Sequence, residues 1–338
     1  MYELRYDPEI CRKCATVDCL MNCQYIDMDL RAAKQEKLKI LEGKDSTVLH
    51  DCVTCYACEE YCPNGNHPFY QIVERQEQLG IDPVPRPITK SQVQAMAPSG
   101  KIKVREGKGP LVNLCYFPML TGMIRGNLFP DASYFTGSDF MCQIMFLHFA
   151  RDSVIKERLP ALIERIDKEY VASREGGEMV CFHDECYGTY TSWVPAFGMK
   201  VPFTPVHLFD YLARRLEELG DGVKKLNLKI AYQRPCSNRL SPHTDAFVDR
   251  ICEMIGVERM DREYDRKNAL CCGGVFDAQQ RFDLAEEVRE KNVEDMKKSG
   301  ATHVVFNCPF CYFTLSQKVS EAGMAPTFMS ELCRLAAG

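Results

Sequence analysis

Eight cysteines crowd into the first 62 residues as two runs, Cys11-x2-Cys14-x4-Cys19-x3-Cys23 and Cys52-x2-Cys55-x2-Cys58-x3-Cys62, the second followed by Pro63. Thiols at such short intervals constrain the chain more than any apolar pattern, because they must converge on something. In a C-x2-C-x2-C-x3-C-P run, three close thiolates wrap one face of a four-iron cluster. The fourth, carried off by a short helix beginning near the proline, reaches a neighbouring cluster. The two runs therefore predict two cubane [4Fe-4S] clusters with exchanged fourth ligands: Cys52, Cys55 and Cys58 with Cys23, and Cys11, Cys14 and Cys19 with Cys62. Structural zinc is the competing use, but it prefers two separated C-x2-C pairs. The first run is less regular, with four residues inside CATVDC and Gln24 where the second run has proline.

The chain holds 19 cysteines in 338 residues, and a chain of this length needs no disulfides to bury a core, so metal is the first explanation to test. Hydrophobic residues at 46% and charged residues at 26% are ordinary for a folded chain of two or three domains. A formal net charge of -5, without a lysine or arginine tract, gives nucleic acid no electrostatic footing. The start, MYELRYDPEICRKC, lacks an apolar leader, and the longest apolar stretches, such as FMCQIMFLHFA, fall short of the ~20 residues a spanning helix needs. The expectation is a cytoplasmic chain that meets a membrane only through a partner subunit.

Between the runs, DLRAAKQEKLKILEG reads as a helix with Leu30, Leu38 and Leu41 available to one face and Gly43 as its stop. Residues 81–110 are rich in proline, glycine and basic residues without apolar periodicity, the composition of a linker. This divides the chain into 1–80 with the two cubanes, a linker at 81–110, and two further units at 111–220 and 221–338.

Those two units are related. At an offset of 125, residues 180–199 lie over 305–324 with six identities in twenty, including Cys186 over Cys311 and Tyr187 over Tyr312. Each unit opens on a strand-like run, LVNLCYFPML or LKIAYQRPCS. In the second, Phe247, Ile251 and Ile255 mark one helical face, DLAEEVREKNVEDMKKSG is a helix closed by Gly300, and HVVFN is a buried strand. Strand alternating with helix predicts α/β layering in each half and an α+β chain overall. Cys236, Cys271, Cys272, Cys308 and Cys311 all fall at loop positions, and loops at the carboxyl ends of parallel strands face one crevice. Five thiolates exceed what a cubane or zinc takes up, and Gly273 and Gly274 supply permissive dihedrals and close approach behind the adjacent pair.

The spacing C236…C271-C272-G273…C308-P-F-C311 resembles the cysteine-rich CCG domain of heterodisulfide reductase catalytic subunits, and the eight-cysteine region is similar to their small ferredoxin-like subunit. The order looks like a fused, D-type subunit. Related iron-sulfur subunits accompany glycolate oxidase, anaerobic glycerol-3-phosphate dehydrogenase and sulfur-metabolising membrane complexes. The resemblance implies that the five cysteines bind one non-cubane [4Fe-4S] cluster, open to a substrate sulfur at one iron, with Cys271 and Cys272 at the centre of the chemistry. It also implies that a thiol or disulfide is the substrate. The first half departs from the pattern: Leu120 stands where the family's YFPGC puts its first ligand, no CCG follows, and His183-Asp184-Glu185-Cys186 replaces Cys308-Pro309-Phe310-Cys311.

Cys115, Cys142, Cys181, Cys252 and Cys333 read as small buried apolar residues, and Trp193 with the methionine-rich segments as core. Cys186 divides between core and function. So does His183, which would be a proton donor to a leaving thiolate or a ligand in a degenerate cleft. Three functions compete: cleavage or formation of a disulfide at the five-cysteine site, fed by the cubanes; electron transfer alone, for a flavin-linked dehydrogenase or a quinone-reactive membrane partner; and structural zinc with redox thiols.

Overall fold

The computed structural model describes residues 2–338 and is an α+β structure. Among the described residues no strand precedes Ile102, and no helix is long and apolar enough to cross a membrane. Both cysteine runs use one local design. A buried residue in the left-handed region, Val17 (φ 53) or Tyr56 (φ 63), starts a short helix, Asp18–Met21 or Ala57–Tyr61. The third cysteine, Cys19 or Cys58, is the second residue of that helix. The fourth follows its end: Cys62 is the C-cap of the helix Ala57–Tyr61, so the helix carrying the fourth cysteine ends at the proline rather than beginning there.

The helix Leu30–Leu41 forms as expected, but Leu30 and Leu38 are exposed, and Ala33, Glu36, Lys37 and Ile40 are the residues it buries. These four stand at i, i+3, i+4 and i+7, one true helical stripe. The two polar members are satisfied by bonds: Lys37 Nζ donates to the Cys14 carbonyl at 2.8 Å, and Glu36 Oε2 accepts from Ser46 Oγ at 2.7 Å and the Thr47 N–H at 2.9 Å.

Two sheets follow. The first comprises β1 (Ile102–Arg105), β2 (Leu111–Asn113), β3 (Ser133–Gly137), β4 (Glu178–Cys181) and β5 (Thr204–His207), in the order β1-β3-β2-β4-β5. All its pairs are parallel except the edge strand β1, which runs antiparallel to β3. The second comprises β6 (Leu228–Tyr232), β7 (Val257–Arg259), β8 (His303–Phe306) and β9 (Ala325–Phe328), all parallel, in the order β7-β6-β8-β9. Without β1 the two orders coincide, which is the structural counterpart of the sequence repeat. In the second half the helix Ala246–Ile255 buries Val248, Ile251, Cys252 and Ile255, leaving Phe247 half-buried beside them.

The stretch read as a linker is more ordered than its composition suggested. It builds a helix, Arg86–Ala95, and then β1. Two prolines open that helix at positions where no intrahelical N–H is missed, Thr89 Oγ1 donates to the Val84 carbonyl, and Ile88, Val93 and Met96 pack on the core. β1 is exposed throughout and held by backbone pairing with β3 and by an ion pair of Arg105 with Asp131 at 3.2 Å.

One continuous apolar core runs from Val53 and Phe69 through both sheets to Leu332, while a smaller one, including Val17, Ala33 and Leu49, underlies the N-terminal helices. The second cysteine run is thereby packed directly on the sheets. Buried Glu60 fixes the join, accepting from Arg234 Nη1 at 3.0 Å and from Arg239 Nη1 at 3.4 Å. Trp193 is fully buried, donating from Nε1 to Asp152 Oδ1 at 3.1 Å, and Cys252 and Cys333 lie in the core as expected.

The two halves meet at Asp184. Its Oδ1 accepts from His207 Nε2 at 3.1 Å and Asn238 Nδ2 at 2.8 Å, and its Oδ2 from Asn307 Nδ2 at 2.5 Å. His207 Nδ1 accepts the Phe209 N–H at 3.1 Å, which leaves the ring proton on Nε2 facing Asp184. Asn238 lies two residues beyond Cys236, and Asn307 directly precedes Cys308. One carboxylate thus anchors two of the loops that carry the five cysteines.

Candidate metal centre

The carboxyl ends of the second sheet deliver all five cysteines to one place. Cys236 opens a turn after β6, Cys271 and Cys272 precede a short helix, Gly274–Ala278, and Cys308 caps the helix Pro309–Glu321 after β8. Cys311 lies in the first turn of that helix rather than in a loop. The sulfurs form an unbroken chain of contacts, Cys236–Cys271–Cys272–Cys311–Cys308. The neighbouring Cys271 and Cys311 hold the Cys272 thiol well below the usual range, against burial. Cys236 is brought to about 7, by Cys271 against burial and with help from His148, and Cys308 to about 6, by Cys311 against burial and with help from His183.

Both glycines behind the pair have a definite use. Gly273 has φ 80, a conformation open to glycine, and its N–H points at Cys271 Sγ at 3.5 Å. Gly274 matters for space: a Cβ there would stand 2.8 Å from Thr314 Oγ1. The five thiols line a cavity of about 270 Å3, whose far wall includes Gln92 and Met96 from the supposed linker. Five soft donors, four buried and Cys236 half-buried, with the Gly273 N–H aimed at the Cys271 sulfur at the edge of a cavity, fit a cluster that takes more thiolates than a cubane.

Thiols also neighbour one another within and between the two N-terminal runs. Burial and the neighbouring Cys62, Cys11 and Cys14 push the Cys19 thiol up to about 12. Burial and Cys55, with Cys23 adding, push Cys52 up to about 12. Cys58 lies among Cys52 and Cys55 and close to Cys19, so the runs adjoin. Cys55 then shares a small void with Cys236, Cys271, Tyr25, Arg234 and Arg239. Tyr25 OH accepts the Cys271 N–H at 3.0 Å. Gln24, standing where a proline was expected, donates to the Asn268 carbonyl at 2.7 Å and so ties the first run to the loop that carries Cys271.

His148 had no signal in the sequence. It is buried, its Nδ1 is 2.9 Å from Thr54 Oγ1 and its Nε2 3.0 Å from Tyr56 OH, and its ring meets Cys236. Thr54 Oγ1 donates its hydrogen to the Val53 carbonyl, so it accepts from His148 Nδ1. This histidine links the second cysteine run, the first sheet's loops and the five-thiol site.

The first half holds a smaller version of the centre. The sulfurs of Cys115, Cys142 and Cys186, all buried, lie within 4.8 Å of one another. They follow β2, β3 and β4 as Cys236, Cys271–Cys272 and Cys311 follow β6, β7 and β8. This corrects two expectations. The position corresponding to Cys236 belongs to Cys115, which turns the chain at φ 53, and not to Leu120, a core residue. Cys115 and Cys142 are members of a thiol trio rather than filler, whereas Cys181 is buried beside them without joining it. Three thiols are too few for the five-donor arrangement.

His183 takes the position of Cys308 in this half. It is buried against Cys308, with Nδ1 3.4 Å from Glu185 Oε2, and does not line the cavity. Burial opposes its charge, but Glu185 and Cys308 outweigh it and push the imidazole up to about 10. Glu185, which carries no motif of its own in the sequence, does line the cavity, and burial pushes its carboxyl up to about 8.

Residues 230–316 match the family model described as CCG, a cysteine-rich domain, and this range holds all five cysteines. Among curated proteins, the chain is 26% identical over 176 residues to the D subunit of the dihydromethanophenazine:CoB--CoM heterodisulfide reductase of Methanosarcina barkeri, covering 49% of this chain and 40% of the relative. It is 23% identical over 328 residues to the D subunit of the same enzyme from Methanosarcina mazei, covering 80% and 72%. It is 23% identical over 154 residues to the B subunit of the fumarate reductase (CoM/CoB) of Methanothermobacter marburgensis, covering 44% and 30%. The matches thus span less than half the length of two of these relatives.

Proposed function

We propose that this chain, an iron-sulfur oxidoreductase subunit with a CCG cysteine-rich domain and a likeness to the D subunits of heterodisulfide reductases, carries single electrons from two N-terminal clusters to a five-thiol site where a disulfide is opened or formed. The observation that supports this best is the continuity of sulfur, from Cys19 beside Cys58, through Cys55 beside Cys236 and Cys271, to five thiols on a cavity wall.

In this reading Cys11, Cys14, Cys19 and Cys62 hold one cubane, and Cys23, Cys52, Cys55 and Cys58 the other. Cys236, Cys271, Cys272, Cys308 and Cys311 hold a non-cubane cluster. Bound there, the clusters supply one-electron storage and, at the last, an iron accessible to sulfur. The reaction balances as one disulfide plus two electrons and two protons giving two thiols. The electrons come from a reduced partner, a flavoprotein or a membrane electron-transfer subunit. The protein's part is to seat the substrate beside Cys272, to exclude water with the apolar wall, and to hold a proton within reach. That last role passes from His183 to Glu185, the buried carboxyl on the cavity wall, with His183 behind it.

A second reading, electron transfer without a substrate, for a flavin dehydrogenase or a quinone-linked membrane complex, draws support from the first half, where three thiols stand in place of a second five-thiol set.

Single turnover separates the two. Anaerobic protein with about twelve irons per chain, as three four-iron clusters require, is reduced and mixed with a small aliphatic disulfide. The proposal expects two thiols released and two cluster electrons consumed for each disulfide opened. Reduced clusters that persist beside intact disulfide support the electron-transfer reading. The same iron count is expected for Cys186→Ser, because the thiol trio lies outside all three sets.

A further inference from the structure

The cavity beside the five thiols has no lysine or arginine among the described residues that line it, and the rest of its wall is mainly Met96, Met145, Phe149, Val275, Ala278 and Phe310. His148, also on the wall, has both ring nitrogens turned to Thr54 and Tyr56. The carboxyl groups on it are Glu185 and Asp277, and Asp277 is paired with Arg289, which also donates to the Gly273 carbonyl at 3.2 Å. The arginines near the thiols lie on the opposite side of Cys236 and Cys271, in the void shared with Cys55. They are engaged there: Arg234 with Glu60, Asn238 and the Arg266 carbonyl, and Arg239 with Glu60 and the Ala269 carbonyl. Arg234 and Arg239 thus lie on the Cys55 side of the thiols, and the wall of the larger cavity is mainly apolar.

An anionic group brought into this cavity would lose water with no lysine or arginine on the wall to pair with it. Resting on the disulfide reading above, we infer that the site takes a small thiol or disulfide with uncharged, apolar substituents, and discriminates against sulfonated, phosphorylated or carboxylated ones. Phe310, 40% exposed, and Phe313, 59% exposed on the same helix, continue the apolar surface beyond the mouth.

The test uses two thiols of equal chain length, 1-propanethiol and 3-mercaptopropane-1-sulfonate, titrated into the oxidised, cluster-loaded protein with the cluster's paramagnetic signal as readout. The neutral thiol is expected to half-saturate at a concentration at least about tenfold lower than the sulfonate. In Gln92→Arg, which places a cation on the wall from an ordinary helical position, the gap should close while the N-terminal signals stay unchanged. Equal or tighter binding of the sulfonate to the unmodified protein overturns the inference and leaves the disulfide reading standing. If neither thiol alters any signal, the disulfide reading falls and takes this inference with it.

Discussion

In a Cys272→Ser variant, disulfide turnover is expected to fall by at least about a thousandfold, equivalent to ~4 kcal/mol of transition-state stabilisation, while the N-terminal clusters persist. Cys272 is the middle of the sulfur chain. Cys271 and Cys311 adjoin it on either side and, against burial, hold its thiol well below the ordinary range. Serine offers a hard oxygen that stays protonated at neutral pH, a poor partner for iron beside soft thiolates. Iron should drop from about twelve to about eight per chain, measured by anaerobic metal analysis alongside turnover with a dye donor. The control is Cys252→Ser: that thiol is buried in the helix Ala246–Ile255, away from the sulfur chain, and its loss should leave the iron in place.

Replacing Asp184 with alanine should cost about 3–5 kcal/mol of stability, lowering Tm by roughly 4–7 °C in thermal unfolding followed by circular dichroism. Three buried donors, His207 Nε2, Asn238 Nδ2 and Asn307 Nδ2, would lose their common acceptor. Burial works against the charge of Asp184, yet those three donors outweigh it and hold the carboxyl well below the usual carboxylate range. A depressed folded pKa means that the unfolded chain binds the proton first. The stabilisation is therefore complete at neutral pH and drains away as pH falls below about 4, the unperturbed value for aspartate. Asp184→Asn should flatten that acid-side loss, read as a shallower fall of Tm between about pH 4 and the acid limit. Because Asn238 and Asn307 flank the thiol loops, both variants should also loosen cluster retention on dilution.

Much of this architecture was legible because cysteine spacing and strand runs are local signals. The five-thiol convergence, the repeat at 125 and the buried Cys252 and Cys333 all follow from positions a few residues apart or from self-similarity. What stayed hidden depends on distant contacts. The helix Arg86–Ala95 looks like a linker because its apolar residues are few, and a partner lies far along the chain in Arg158, which donates to the Val93 carbonyl at 3.1 Å. The helix Leu30–Leu41 turns a lysine and a glutamate inward because their acceptor and donors lie in flanking loops, which no periodicity reveals. His148 reaches Thr54, Tyr56 and Cys236 only after three parts of the chain have packed. The thiol trio was missed because Cys115 stands five residues ahead of the place the motif predicted, an offset absorbed by the turn at its positive φ.

The central claim is that the five-thiol site, rather than the N-terminal sets, meets sulfur substrate. Electron paramagnetic resonance of the oxidised protein, recorded with and without 1-propanethiol, tests it most directly. The account predicts a new paramagnetic signal on adding thiol, present in the Cys186→Ser protein and absent in Cys272→Ser. A spectrum that thiol leaves untouched, or a thiol-induced signal that survives in Cys272→Ser, would contradict it.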